Sequence, residues 1–186
     1  MNTVDMKALM LELIGAYSKV QDTIDFAGDF FFRRKTPELA NFVHKGAISR
    51  MRDDDRPVLF AALVAELKVA GDFSNFATVF RRVKKVRDLA SHSVHVDLID
   101  SNTVEIGKSW IAGADGTTTS HRFTRDEIEA RLKDCEWLTQ CVLFVVTVSD
   151  LTNKVFLGGT QVTFPIRPSD PADWDGHGID VTVLAD

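Results

Sequence analysis

An arginine and a histidine, Arg87 and His92, lie five residues apart at the end of a strongly basic segment. The Arg87 guanidinium keeps its charge at physiological pH and forms a planar fork that fits phosphate oxygens. The His92 imidazole titrates near neutral pH, so it can act as a general base or a general acid. Such a pair could cleave a phosphodiester without a metal ion. Roughly one Arg–His pair at this spacing is expected by chance in such a chain, so the surrounding residues carry the argument.

The residues around this pair predict an amphipathic helix that stops near the histidine. Its apolar positions recur at intervals of three and four residues: Phe76, Val79, Val83, Val86 and Ala90. Its cations crowd the other side, and we predict that they bind RNA phosphates: Arg81, Arg82, Lys84 and Lys85. Because an alternating, strand-like pattern begins at His95, His92 falls near the helix C-terminus, where the helix dipole favours its protonated form.

The spacing within the motif determines what its side chains can reach. Asp88 and His92 are four residues apart on one helix face, so the Asp88 carboxylate could orient the His92 ring or, alternatively, Arg87. Arg87 and His92 lie about 140° apart around the axis and about 7.5 Å apart along it. They do not meet face to face, but both could line a groove beside a second helix. We predict catalytic roles for Arg87, Asp88 and His92.

At this motif the chain resembles the HEPN family, whose signature is an Arg, a polar residue, three to five further residues and a His late in a helix. Arg87, Asp88 and His92 match that signature. The order of elements is also similar over roughly residues 5–150: a motif helix, a short β insertion and a long closing helix. Active members are metal-independent ribonucleases that work as dimers with both motifs in one cleft. Some carry a Tyr two residues after the His as the target of a nucleotidyltransferase partner, but this chain has Val94 there.

The residues and the resemblance together predict a metal-independent endoribonuclease that acts as a homodimer on RNA, with no cofactor. In this scheme His92 takes the proton from a ribose 2′-hydroxyl, and Arg87 binds the scissile phosphate as its negative charge grows. The resemblance implies a role as a toxin or an antiphage-defence effector, in which case an antitoxin protein would be a partner.

Other functions fit the same residues. The rival is a non-catalytic dimeric module that binds a nucleotide, RNA or a protein, with Arg87 and His92 as structural or ligand contacts. The basic run could be an ordinary solvated helix face. His92, His95 and Asp97 could be metal ligands, although zinc usually has a closed set of strong ligands; we expect His95 and Asp97 to occupy the exposed face of a strand, and we predict no metal site.

Composition limits the class of protein. The chain has 186 residues, 45% of them hydrophobic, and a net charge of −5, which suits a domain with a sizeable core. Residues 168–186 contain five Asp and no Lys or Arg, so the remaining chain is neutral, with 22 basic and 22 acidic residues. Local charge steers a polyanion, and this acidic tail could screen the basic helix until a partner displaces it.

Cys135 and Cys141 are expected to be reduced core residues. No apolar signal or bilayer-spanning segment is apparent, so we expect a cytoplasmic protein without membrane contact.

The pattern along the chain predicts a mainly α fold, a HEPN-like bundle of about five helices with a small β-hairpin insertion and an irregular, β-containing C-terminal tail. Residues 1–150 form the helical domain, and residues 151–186 form an extension that packs on the body or on a partner subunit. Helices are predicted over residues 4–31, from Pro37 to near Met51, from the capping run 53–55 to Gly71, and through the motif. The sequence from Thr124 to Glu127 is a capping box that opens the last helix. Strands are predicted at residues 94–98 and 104–106, with a short third strand, and at 160–166 and 179–184.

Overall fold

The computed structural model describes residues 5–93, 95–107, 120–148, 154–157, 160–163, 170–176 and 180–183. The fold is mainly α, as predicted. The described residues contain five α-helices: α1 (Met6–Lys35), α2 (Pro37–Gly46), α3 (Arg56–Leu67), α4 (Phe76–Ser91) and α5 (Arg125–Val148). Strands β1 (His95–Asp100), β2 (Thr103–Gly107) and β3 (Ser120–Thr124) form the insertion, and β4 (Lys154–Leu157), β5 (Thr160–Thr163) and β6 (Asp180–Val183) follow α5. The predicted boundary at residue 150 and the Val94 position lie outside the described residues.

The chain divides into two compact units. Unit 1 comprises Met1–Lys19 and Val79–Glu136, and unit 2 comprises Val20–Thr78 and Trp137–Asp186. Helices α1, α4 and α5 therefore contribute residues to both units.

In unit 1, the core consists of apolar stripes from three helices together with the first sheet. At the start of α1, Leu9, Leu13 and Tyr17 recur at intervals of four residues and are buried. Val83 of α4 and Ile128 of α5 are fully buried, as the helical periodicity predicts. Phe80 adds to the predicted α4 stripe, and its ring lies 5.3 Å from the Tyr17 ring, centroid to centroid.

The first sheet is amphipathic, and β2 is its central strand. The registers Val96↔Ile106↔His121 and Leu98↔Val104↔Phe123 bring mostly apolar residues to one face, and Val104 and Ile106 are buried there. The opposite face carries the register Asp97↔Glu105↔Arg122, and Arg122 Nε donates to Glu105 Oε2 over 2.7 Å. The predicted third strand is present. The turn predicted from Gly113 to Gly116 falls outside the described residues.

The predicted capping box opens α5. Glu127 donates its backbone N–H to Thr124 Oγ1 (3.3 Å), and the Glu127 carboxylate accepts from the Thr124 backbone N–H (2.8 Å). The two groups satisfy donors that would otherwise have no partner at the start of the helix. The prediction from four residues of sequence is therefore confirmed in detail.

In unit 2, α3 begins directly after the predicted capping run, but three helices end at other residues than predicted. Helix α1 ends at Lys35 rather than at residue 31, α2 ends at Gly46 rather than near Met51, and α3 ends before Gly71.

Residues Asp53–Asp55 form a 3-10 turn rather than capping α3 with a side chain, because Asp53 and Asp25 both bind Arg56; the Arg56–Asp25 pair has two hydrogen bonds of 3.0 and 2.8 Å. The predicted stop of α3 at Gly71 is wrong. The helix ends at Leu67. Lys68 then adopts the left-handed conformation (φ 53°), which Gly usually adopts at the end of a helix.

After α5, the sequence pattern predicted two strands, and the structure has three. Strands β5 and β6 fall within the predicted ranges 160–166 and 179–184. Strand β4 was not predicted. It pairs with β5 in antiparallel register, which gives β5 hydrogen-bonded partners on both sides and makes the sheet more stable than isolated strands would be.

The two cysteines are free thiols buried in α5. Burial raises the pKa of the Cys135 thiol to about 12, and the neighbouring Asp134 carboxylate contributes to the increase. None of the described helices combines the length and apolar content that crossing a bilayer requires.

Candidate functional site

Arg87 is held on α4 by an aromatic ring and a carboxylate. Its Cζ lies 4.3 Å from the centroid of the Tyr17 ring, within the range of a cation–π contact. Its Nη1 lies 3.3 Å from Asp88 Oδ1. Tyr17 is fully buried, whereas 18% of the Arg87 side chain is exposed. The guanidinium is therefore partly desolvated and positioned at the edge of the unit 1 core.

His92 is exposed and directly follows the last residue of α4. Its backbone N–H donates to the Asp88 carbonyl over 3.1 Å, so the helical hydrogen-bond pattern extends to this residue. The predicted position at the helix C-terminus is confirmed. An imidazole at this position is accessible to a large substrate.

Asp88 contacts cations. Its Oδ2 accepts from Lys84 Nζ over 3.0 Å, and its Oδ1 faces Arg87. Of the two roles considered for this carboxylate, the contacts fit the orientation of Arg87 rather than of the His92 ring. The spacing of four residues permits a contact between Asp88 and His92, but Asp88 instead pairs with Lys84, which lies four residues earlier on the same helix face.

Two cations of the basic run, Arg82 and Lys84, form ion pairs with carboxylates, although 43% of the Arg82 side chain is exposed. Arg82 forms a two-pronged pair with Asp134 of α5 at 3.0 and 2.7 Å, and Arg131 lies 3.1 Å from the same carboxylate. Only 5% of the Asp134 side chain is exposed, so it depends on these cations. Lys84 is paired with Asp88. Arg81 and Lys85 are exposed. Two of the four predicted RNA-binding residues thus have carboxylate partners within the unit.

Arg81, Lys85 and His92 share one face of α4, a relation that sequence reasoning missed. Positions 81, 85, 88 and 92 follow intervals of four, three and four, which confine them to a strip about 60° wide. Arg81, Lys85 and His92 are exposed, and Asp88 is half-buried. This exposed basic stripe, Arg81–Lys85–His92, could have been found from the same periodicity that predicted the buried stripe.

Asp97 is exposed, as expected, but the side chain of His95 on the same face of β1 is covered, contrary to the expectation. Its side chain is 15% exposed, and its ring lies against Gly107 of β2, its partner in the register. His95 Nε2 is 3.8 Å from Asp97 Oδ2. Within the described part of the chain, no three His, Cys, Asp or Glu side chains are grouped closely enough to hold a metal ion.

Comparison of the chain with models of protein families, with curated proteins and with solved structures finds no match in any of the three. The resemblance to the HEPN family stays a prediction from the motif and the order of elements.

Proposed function

We propose that this protein is a metal-independent endoribonuclease of the HEPN type that acts as a homodimer on RNA in the cytoplasm. The observation that carries the proposal is the exposure of His92 at the end of α4, in line with Arg81 and Lys85 and five residues from Arg87. An accessible imidazole, a fixed guanidinium and exposed cations are the groups that such cleavage requires. The resemblance adds the proposal that the protein is a toxin or antiphage-defence effector, with an antitoxin as a protein partner.

The proposed reaction is a transesterification. His92 takes the proton of a ribose 2′-hydroxyl, and the 2′-oxygen attacks the adjacent phosphorus. The bond from phosphorus to the 5′-oxygen breaks and leaves a 2′,3′-cyclic phosphate. Arg87 neutralises the charge that develops on the phosphate oxygens. The leaving 5′-oxygen needs a proton from the opposite side of the phosphorus, and a second His92, from another copy of the chain, would supply it.

The test uses purified His92→Ala and Arg87→Ala variants with single-stranded RNA in the presence of EDTA. Loss of the His92 acid–base group should lower the cleavage rate by about 100- to 10,000-fold. Loss of the Arg87 charge, which stabilises the phosphate oxygens, should lower it by about 100- to 1,000-fold. The wild type should release cyclic phosphate ends. Lys133→Ala is the matched control, because Lys133 is exposed on α5 outside the motif. Undiminished cleavage by both motif variants would refute the assignment.

A non-catalytic RNA-binding module is the second candidate, and the Arg87 contacts favour it. A guanidinium over Tyr17 and beside Asp88 has a structural explanation that needs no substrate. In that case the wild type binds RNA without cutting it, and Arg87→Ala lowers the free energy of unfolding more than it weakens RNA binding. Urea denaturation alongside RNA titration separates the two candidates.

A further inference from the structure

A shallow cleft in unit 2 combines an exposed aromatic ring with two cations. It has a volume of about 410 Å³ and is lined by Asn41, Phe42, Lys45, Gly46 and Arg50. Phe42 is 77% exposed, the highest value among the exposed large apolar residues in the described part of the chain. Within α2, all of which the structure describes, only Ala40 is buried. Core packing therefore does not explain Phe42.

The charge on the lining of this cleft is positive. The surrounding residues 33–52 contain six Lys or Arg and one acidic residue, Glu38, although Asp29 pairs with Arg33 and His44 and the acidic run Asp53–Asp55 follows. Lys45 and Arg50 are exposed and form no ion pair within the described residues. None of the five lining residues is acidic. The cleft thus presents positive potential around an open aromatic face, which favours an anionic and aromatic ligand over an apolar protein surface.

We propose that this Phe42 cleft binds single-stranded RNA, with a base stacked on Phe42 and phosphates bound by Lys45 and Arg50. Stacking on an aromatic side chain requires a base that is free of its own neighbours, as in a single strand. The Asn41 amide can donate to and accept from a base edge. The inference shares with the proposed function the premise that RNA is the ligand, but it concerns a different surface and does not require cleavage.

The binding test uses fluorescence anisotropy with a labelled oligouridine and its deoxy counterpart, which has no 2′-hydroxyl and cannot be cleaved by the proposed reaction. Phe42→Ala should weaken binding of both probes by about tenfold, and Phe42→Trp should retain binding. Phe26→Ala is the matched control, since Phe26 is another exposed phenylalanine in unit 2. Equal affinities for Phe42→Ala and wild type would overturn the proposal.

Gly46 allows a second test with opposite expected signs. A Cβ added there meets no atom within 4 Å, so a side chain can enter the cleft without steric conflict. Gly46→Glu should weaken oligonucleotide binding, and Gly46→Lys should strengthen it. The double substitution Lys45→Ala with Arg50→Ala should make the negative slope of log K against log salt shallower by about 1.4, because two phosphate contacts to a single strand are lost.

The outcomes separate this cleft from the nuclease site. If the wild type binds the deoxy probe through Phe42 but never cuts RNA, the cleft stands and the nuclease proposal fails. If RNA is cut while Phe42 and Gly46 substitutions leave binding unchanged, the nuclease stands and the cleft proposal is refuted. Binding of the wild type to anionic vesicles in place of oligonucleotides, lost in Phe42→Ala, would also refute it.

Discussion

At the scale of single residues, the arginine of the motif is held more firmly than the histidine. Arg87 contacts Tyr17 and Asp88 and is largely buried, whereas His92 is exposed just beyond the helix. A fixed cation and an accessible base suit a reaction in which the phosphate must be positioned while protons move. In the proposed nuclease, Tyr17 would be a positioning residue, because its ring contacts the Arg87 guanidinium.

Substitution of Tyr17 tests this positioning role. Tyr17→Leu removes the cation–π contact and the contact with Phe80, so it should lower the free energy of unfolding by about 2 kcal/mol and slow RNA cleavage by about tenfold. Tyr17→Phe keeps the ring face and should retain cleavage. Urea unfolding and single-turnover cleavage are measured on the folded fraction. Equal cleavage rates for the Tyr17→Leu and Tyr17→Phe variants would show that the ring does not position Arg87.

At the scale of elements, the pairing of β1 with β2 requires a residue without a side chain, Gly107, opposite the large side chain of His95. The His95 ring occupies the space in which a side chain at Gly107 would project, so only glycine fits without displacement. The two residues form a register pair. The sequence contains Gly107 just after the predicted second strand, but it does not indicate that the His95 ring covers this glycine.

A double-mutant cycle tests this cross-strand contact. Gly107→Ala should destabilise the protein by about 1–3 kcal/mol, because the added methyl group overlaps the His95 ring. In a His95→Ala background the same change should cost less than about 0.5 kcal/mol, since the space is then open. Chemical denaturation of the four proteins gives the coupling energy. A cost that is the same in both backgrounds would contradict the contact.

Much of the helical architecture was predictable because its signals are local. The Thr124 capping box and Pro37 at the first position of α2 each specify a boundary within a few residues. One failed prediction is local, since Lys68 rather than Gly71 takes the left-handed conformation at the end of α3. Two others depend on contacts between separate segments. Asp53 binds Arg56 next to Asp25, which lies about thirty residues earlier, and the ring of His95 is covered through β pairing. In the candidate site, the motif positions were predictable, but the stacking of Arg87 on Tyr17 was not.

At the scale of the whole molecule, the net charge of −5 conceals a separation of charge along the chain. Exposed cations lie on α4 and α2, whereas Asp173 and Asp175 are exposed beside the buried Trp174 near the C-terminus. Deletion of residues 168–186 would therefore remove Trp174 and strand β6 together with the acidic charge. Substitutions that remove the acidic charge but keep the fold, such as Asp173→Asn, therefore test more directly whether the tail screens the basic helix.

Dimerisation is the property of the whole molecule on which the proposed nuclease depends, because the leaving oxygen needs a second His92. We expect a particle of twice 20.7 kDa in light scattering. We also expect a Ser91→Cys variant to cross-link through a short bismaleimide, since Ser91 is exposed beside His92. The native Cys135 and Cys141 are buried and should not react. Lys133→Cys is the control at an exposed site on α5. A monomer, or a dimer that cross-links through residue 133 and not through residue 91, would keep the two motifs apart, and the two-histidine mechanism would then be wrong.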